Sequence, residues 1–445
     1  LGKQLFGTDG IRGVAGEAPL DRATVFAFGA ALGDDLASHG ETLEVLIGAD
    51  TRESGPWIGE LVAGGLASRG MRVRYSGVIT TPGVAYLTRT QPFAAGVMIS
   101  ASHNPYQDNG LKVFSNQGFK LPDDEEHAIE QEIFARLEKG VELQGVPLEA
   151  DHRLARRYLD YLLSTARGKI GSKVLIDCGN GASYQLAPDL FAELGADVET
   201  IHCRPNGRNI NLNCGALHLE GLQQAVVARG ANFGVAFDGD ADRAIFVSSA
   251  GNVINGDGVL LAAARALKAE GRLPGDVLVT TVMANLGLER ALAESGIGMV
   301  RTPVGDKYVL EEMVRRGAAL GGEQSGHVIF REYSTTGDGM LTALRLFEIA
   351  RDAGMGLDEL TSDLKIYPQR LVNVRVREKK GLTELPAVAS EIRRVEEAFG
   401  DTGRVLVRFS GTEPLARVMV EGPDLEQVER FSASIADVIR REMGA

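Results

Sequence analysis

Val45-Leu46-Ile47-Gly48-Ala49-Asp50 is a short apolar run that closes on a carboxylate. Its length and its aliphatic content read as a buried strand. A helical pattern follows near Trp57 to Ala67, then Gly70, then a second strand pattern, Met71 to Tyr75. The order recurs at Lys173 to Asp177, with a helix ending before Gly195 and a strand from Ala196 to Ile201. It recurs again at Asp276 to Thr280, with a helix near Leu286 to Ala293, Gly296, and a strand from Ile297 to Arg301. Strand, helix, glycine, strand is the right-handed crossover of a parallel sheet. Three copies at spacings of about 100–130 residues predict three α/β domains of similar topology.

The boundaries are polar. Residues 140–151 form a mixed loop before a basic amphipathic helix, Arg153 to Arg167. Residues 248–258 read as a turn region before a helix beginning near Val259, and Tyr367-Pro368-Gln369 breaks the pattern again. Beyond it the chain alternates polar and apolar over Leu371 to Val376, Arg404 to Phe409 and Ala416 to Glu421, and ends in a helix, Leu425 to Met443. That is the pattern of an antiparallel sheet covered by a helix. The expected domains are 1–151, 152–254, 255–368 and 369–445. The first three are α/β with mixed or parallel sheets and the last a smaller α+β domain, set around a central cleft.

The composition is that of a globular protein, with 44% hydrophobic and 24% charged residues among 445. The net charge of -13 argues against a nucleic-acid partner, which demands a basic face. It leaves room for an anionic small substrate if Arg and Lys gather in one cleft. Cys178, Cys203 and Cys214 are odd in number and lack C-x-x-C spacing, so inert thiols in a reducing compartment are expected. The N-terminus carries no apolar run of signal-peptide length and no segment approaches a membrane span. A soluble cytoplasmic protein is expected.

Five loops carry the chemistry. Met98 to Phe114 begins apolar, then turns polar through Ser100-Ala101-Ser102-His103-Asn104-Pro105. Asn-Pro and Asn-Gly pairs signal turns, so two hydroxyls, an imidazole and an amide stand on an exposed loop. That suits a nucleophile or a phosphoryl carrier, and taken alone also an ordinary Ser/Asn-rich turn. Phe233 to Phe237 is a buried strand that runs into Asp238-Gly239-Asp240-Ala241-Asp242-Arg243. Three carboxylates at alternate positions beside a core strand need a counter-charge, and a hard divalent cation, Mg²⁺, supplies one. An EF-hand fits poorly, because its sixth position falls on Arg243 and its twelfth on Ser249. Gly321 to His327 reads as a loop after an apolar helix, with side chains suited to sugar hydroxyls. Arg408-Phe409-Ser410-Gly411-Thr412-Glu413-Pro414, with Arg417, offers hydroxyls, open backbone and two guanidinium forks for a phosphate. The opening Phe6-Gly7-Thr8-Asp9-Gly10-Ile11-Arg12-Gly13 sets an arginine among glycines, where backbone can approach a ligand closely.

Together, and in this order over essentially the whole chain, these motifs resemble the α-D-phosphohexomutases, and most closely the bacterial phosphoglucosamine mutases. The resemblance implies Ser102 as the phosphoserine carrier, with His103 beside it. It implies Asp238, Asp240 and Asp242 as Mg²⁺ ligands, the site completed by the Ser102 phosphate. Lys112 and Arg12 resemble the family's basic residues near the transferring phosphoryl group. Arg243, Glu323, Ser325 and His327 are implied substrate contacts, with Glu323 facing the amino group. Arg408, Ser410, Gly411, Thr412 and Arg417 are the implied phosphate anchor. The implied reaction interconverts glucosamine 6-phosphate and glucosamine 1-phosphate through glucosamine 1,6-bisphosphate, feeding UDP-N-acetylglucosamine and cell-wall synthesis. The resemblance also suggests a homodimer through the first domain, and a kinase or a bisphosphate that first loads Ser102.

Three departures are visible. Asp306 stands about where the glucose/mannose branch has a histidine, so Lys112, His103 and Asp306 all remain candidates for the acid/base. Ala241 replaces the usual glycine, and Ala216 and Leu217 stand where hydroxyl residues are usual. The competing readings are a phosphoglucomutase/phosphomannomutase with the same chemistry, a Mg²⁺-dependent phosphosugar phosphatase with Asp238 as nucleophile, and a non-catalytic phosphosugar-binding regulator.

Overall fold

The computed structural model describes residues 5–7, 9–39, 42–379, 381, 384–410 and 414–444. The chain divides into two compact units, Leu1–Met283 with Met299–Thr361, and Ala284–Gly298 with Ser362–Ala445.

The first unit holds three sheets. Val45, Leu46 and Ile47 are fully buried, which requires a strand covered on both faces. Strand Glu44–Ala49 accordingly lies inside a six-stranded sheet, parallel to Ala95–Ile99 on one side and to Arg72–Val78 on the other. Asp108–Ser115 then pairs antiparallel with Ala95–Ile99, and Gly10–Val14 with Asp108–Ser115, so the sheet is mixed. Helix Gly55–Ala67 crosses back over the sheet and packs on helix Arg22–His39. The approach is close enough that a Cβ on Gly65 would stand 2.3 Å from the Phe26 carbonyl oxygen.

The second sheet runs Val253–Ile254, Ala244–Ser248, Phe233–Phe237, Lys173–Asp177, Asp197–Ile201. Lys173–Asp177 is parallel to both of its neighbours, and Phe233–Phe237 forms a hairpin with Ala244–Ser248. The third sheet runs Gly298–Thr302, Val277–Thr281, Leu320–Gly322, Val328–Phe330. Helix Gly339–Ala353 follows the third sheet in sequence yet sends Phe347 into the second. Its ring stacks on Phe233 at 4.7 Å between centroids and also meets Phe191 and Phe246. The second and third expected domains therefore share core.

In the second unit, Leu415–Glu421 pairs antiparallel with Gln369–Arg375 and with Arg404–Phe409. Helices Pro386–Phe399 and Leu425–Met443 cover this sheet, with Val388, Phe399, Val418, Val420, Phe431 and Ile435 in the core. Helix Leu286–Glu294 belongs to this unit: its first N–H donates to Glu421 at 2.8 Å, and Asn285 Nδ2 donates to the Tyr367 carbonyl at 2.9 Å.

Three local expectations change. Gly321 and Gly322 do not begin a loop after a helix; they lie in strand Leu320–Gly322, and the loop starts at Glu323. Val253–Ile254 is a strand inside the expected turn, and the helix after it begins at Gly256 because Asn255 caps it through the N–H groups of Asp257 and Gly258. Helix Pro386–Phe399 was not read from the sequence. No described helix is long and apolar enough to cross a membrane.

Phe347→Ala should cost about 3–5 kcal/mol by removing the ring shared between two sheets. Urea unfolding of the full chain reads this, and a loss below about 1 kcal/mol would mean the two sheets do not depend on it.

Candidate active site

Strand Ala95–Ile99 delivers Ser100 to Asn104 at its C-terminal end, where α/β sheets place ligands. Ser102 is 1% exposed and adopts φ of 51°, a left-handed conformation unusual for a residue with a side chain. Its hydroxyl donates a short hydrogen bond to Asp238, and His103 Nδ1 lies 3.2 Å from the same oxygen.

Asp238 to Arg243 is the loop of the hairpin in the second sheet. It lies against the serine loop back to back. A Cβ on Gly239 would stand 2.3 Å from the Ser102 carbonyl oxygen, so only glycine admits this approach. Ala241 takes φ of 55°, the left-handed value that a glycine there would adopt freely. All three aspartates are buried, and one ligand oxygen from each lies within 4.8 Å of the others. Asp240 Oδ1 and Asp242 Oδ1 are buried with no hydrogen-bond partner. Burial, then the charges of Asp242 and Asp240, push the Asp238 carboxyl well above the usual range, against the pull of Arg243. Buried, crowded, partly unpartnered carboxylate oxygens fit a hard divalent cation.

A chain of alternating charges leaves this triad. Lys112 Nζ, 1% exposed, sits 2.8 Å from Asp240, 2.9 Å from Asp9 and 3.6 Å from Asp242. Burial alone would lower its pKa, but Asp240, Asp9 and Asp242 outweigh that and raise it, so the ammonium stays charged. Asp9 also pairs with Arg12 and, at 2.5 Å, with Lys120. Burial would raise the Asp9 carboxyl, but Lys112, Lys120 and Arg12 hold it well below its usual value. Lys120 continues to Asp306 at 2.5 Å, and Asp306 lies 3.5 Å from His327 Nε2. On the other side of the triad, His103 is pushed down to about 4, chiefly by burial and then by Arg243 and Arg12.

The loop after strand Leu320–Gly322 joins this assembly through backbone. The Ala244 N–H donates to Gly326 at 3.1 Å, and Arg243 bridges His327 in an isolated ladder pair. Glu323 accepts from the Gly305 N–H and from Ser325 Oγ, each at 3.2 Å. His327 is buried and Nε2 accepts from the Gly337 N–H at 3.2 Å. Ser102, His103, Lys112, Arg12, the three aspartates, Arg243, Glu323, Ser325 and His327 thus form one connected set within the first unit. Arg408 and Arg417 belong to the second unit, directly opposite each other on neighbouring strands. Burial, then the Arg417 charge, lowers the Arg408 pKa. Ser410 is buried at the end of the same strand, and Gly411 and Thr412 lie outside the described residues.

Several partners were not singled out by sequence reading: Asp9 and Lys120 in the charge chain, Thr81, whose hydroxyl donates to Asp240 at 2.5 Å, and Arg52 with Asp50 beneath the serine loop. The visible signal for the last pair is position, since Asp50-Thr51-Arg52 follows strand Glu44–Ala49 at its C-terminal end.

The site draws on all three sheets of the first unit, and family models match along the chain. The phosphoglucomutase/phosphomannomutase α/β/α domains I, II and III match residues 3–139, 156–251 and 255–367, and the C-terminal domain matches 371–438. The chain belongs to the phosphoglucomutase/phosphomannomutase family. Within it, the chain is 77% identical over 445 residues to the phosphoglucosamine mutase of Solibacter usitatus, covering all of both proteins. It is 52% identical over 452 residues to that of Koribacter versatilis, covering 99% of this chain and 98% of the relative. A phosphoglucomutase/phosphomannomutase family protein from Burkholderia thailandensis shares the fold over 100% of both chains, with a TM-score of 0.82 at 23% identity.

Two outcomes follow from these electrostatics. Asp240→Asn should weaken Mn²⁺ binding, followed by electron paramagnetic resonance, by more than about tenfold; unchanged affinity would remove the triad from cation binding. In unphosphorylated, metal-free protein the His103 ring should stay neutral between about pH 5 and 8 and titrate near pH 4 by NMR. Because its folded pKa is depressed, the associated stability is present above the ordinary value of 6.5 and is lost as pH falls toward 4.

Proposed function

We propose that this chain interconverts glucosamine 6-phosphate and glucosamine 1-phosphate, with Ser102 carrying the phosphoryl group. The observation that carries the chemistry is the Ser102 hydroxyl held against Asp238 within a buried acidic triad. Substrate choice rests on the full-length likeness to phosphoglucosamine mutases.

In this reading phospho-Ser102 donates its phosphoryl group to the 1-hydroxyl of glucosamine 6-phosphate. The P–O bond to Ser102 breaks, a P–O bond to the sugar forms, and the hydroxyl proton is lost. Glucosamine 1,6-bisphosphate then turns over, returns its 6-phosphoryl group to Ser102, and leaves as glucosamine 1-phosphate. Transfer of this kind depends on positioning and charge neutralisation. Asp238, Asp240 and Asp242, with the phosphate on Ser102, would hold Mg²⁺, which supplies positive charge where the serine oxygen departs. Lys112 and Arg12 act as fixed cations facing the phosphoryl group; a lysine so firmly charged is a clamp and a poor base. Asp306, whose charged form Lys120 and then His327 favour over the effect of burial, is likewise a poor proton donor. His103, neutral and 3.2 Å from Ser102 Oγ, is the candidate placed to take the serine proton when Ser102 attacks the bisphosphate and to return one when the serine oxygen leaves.

Glu323, with Ser325, reads the substrate ammonium group, while Arg243 and His327 line the same loop pair. Arg408, Ser410, Gly411, Thr412 and Arg417 anchor the phosphate that is not being transferred. The anchor must accept either end of the bisphosphate, which forks and hydroxyls allow and a shaped sugar pocket would not. A phosphatase using Asp238 as nucleophile leaves Ser102 without a role.

The test is kcat/KM on glucosamine 1-phosphate, glucose 1-phosphate and mannose 1-phosphate, with Mg²⁺ and the matching 1,6-bisphosphate. The amino sugar should be preferred, Ser102→Ala should lose more than about 10³-fold of the rate, and Glu323→Gln should narrow the preference. Preference for glucose or mannose would overturn the substrate, and an active Ser102→Ala the mechanism.

A further inference from the structure

Ser102 stands in a left-handed conformation that costs a residue with a side chain about 1–2 kcal/mol, so something must hold it there. Both of its peptide groups are tied to one buried ring of side chains. Its N–H donates to Ser100 Oγ at 2.9 Å. Ser100 Oγ in turn donates to Asp50 Oδ2 at 2.6 Å. Asp50 Oδ2 accepts Arg52 Nε at 2.9 Å, and Arg52 Nη2 donates back to the Ser102 carbonyl at 2.9 Å. The ring closes on the residue where it began.

Arg52 does more than close it. The side chains of Arg52 and Asp50 have no solvent exposure. Nη2 also donates to the Asn104 carbonyl at 2.8 Å, and Nη1 to the carbonyls of Asp108, at 2.9 Å, and Pro105. One guanidinium thus serves four carbonyls of a single loop, each of which would otherwise lose hydrogen bonding on burial. No lysine reproduces this, because its ammonium lacks the planar fork. Asn211 also donates to the Ser102 carbonyl, from the second domain, at 2.9 Å.

We propose that Arg52, Asp50 and Ser100 are positioning residues that lock Ser102 in its left-handed turn, keeping its oxygen on the metal-binding face through each cycle of phosphorylation and dephosphorylation. None of the three contacts the reacting atoms in this arrangement. They act by denying the loop the relaxed conformation in which Ser102 Oγ would leave Asp238. The inference rests on Ser102 as carrier and not on which sugar is the substrate.

The test uses the full chain with Arg52→Lys, Ser100→Ala and the double variant. Each is loaded at Ser102 from glucose 1,6-bisphosphate, with loading read by intact mass. Single-turnover loss of the phosphoryl group to hexose phosphate acceptors is then timed. Arg52→Lys should slow transfer about 10²-fold and Ser100→Ala about tenfold, with acceptor KM within about twofold of the parent. The double variant should lose no more than Arg52→Lys alone, because both substitutions open the same ring. Ser100→Ala removes one hydroxyl and keeps the proposal testable if Arg52→Lys does not fold. Parent-like transfer by folded Ser100→Ala, a rise in KM in place of slower transfer, or additive losses in the double variant would overturn the positioning role. A parent enzyme that transfers to glucose phosphate but not to glucosamine phosphate would instead overturn the substrate reading and leave this one standing.

Discussion

The pairing of Lys112 with Asp240 and Asp9 is the interaction on which the site depends. Three carboxylates end a core strand with almost no exposure, and unpaired ions of that kind are too costly to keep. One ammonium, itself 1% exposed, lies between the triad and Asp9. Asp9 is then obliged to share its second oxygen with Lys120, and Lys120 to share itself with Asp306. Buried ion pairs of this sort add little net stability against an apolar core, yet breaking one leaves a bare charge behind. Their effect is to fix which loops may lie together. The strand carrying Lys112, the opening segment with Asp9 and helix Asp306–Arg316 cannot drift apart without stranding a charge.

Backbone geometry adds a second constraint. The triad and Ser102 meet only because Gly239 lets its loop press on the Ser102 carbonyl. The same crowding puts Ser102 and Ala241 at positive φ on facing loops. Alanine at 241 keeps the shape that glycine would give and accepts some strain for it, while narrowing the conformations open to the loop when unfolded. That accounts physically for a departure that the sequence shows but does not explain.

What was legible in the sequence was local. Asp238, Asp240 and Asp242 stand at alternate positions after an obvious strand, and Ser102 stands in a polar turn after another. The repeated strand–helix–glycine–strand unit is legible because the first strand of each copy is buried along nearly its whole length, which forces an unbroken apolar run; the second strand of each lies at a sheet edge and is only partly buried. Asp9, Lys120 and Arg52 were not, because their meaning lies in partners 111, 186 and 50 residues away. No spacing rule reaches that far. Gly321-Gly322 reads as loop for a related reason: glycine has low strand propensity, and only pairing with Val279, Thr280, Ile329 and Val328 makes these residues a strand. Helix Leu286–Glu294 shows the same limit at the level of units. Its place in the repeat is plain from sequence, whereas its tie to Glu421 is a tertiary fact.

The charge states sort the roles further than residue identity does. Lysine, histidine and aspartate are all respectable acids or bases in general. Here burial and neighbours push them apart. Lys112 is held protonated by three carboxylates, and Asp306 is held ionised chiefly by one ammonium. His103 is half-buried beside cations, and both desolvation and those charges disfavour its charged form. Lys112 has no free site for a proton, whereas His103 and Asp306 are both unprotonated near neutral pH; of the three only the imidazole touches Ser102 Oγ. A phosphate on Ser102 adds negative charge at that contact and so favours imidazolium, while a cation on the triad opposes it. The proton affinity of His103 therefore follows the occupancy of the site. The ring is most basic when a phosphate stands on the serine, the state in which Ser102 Oγ would be a leaving oxygen able to accept a proton.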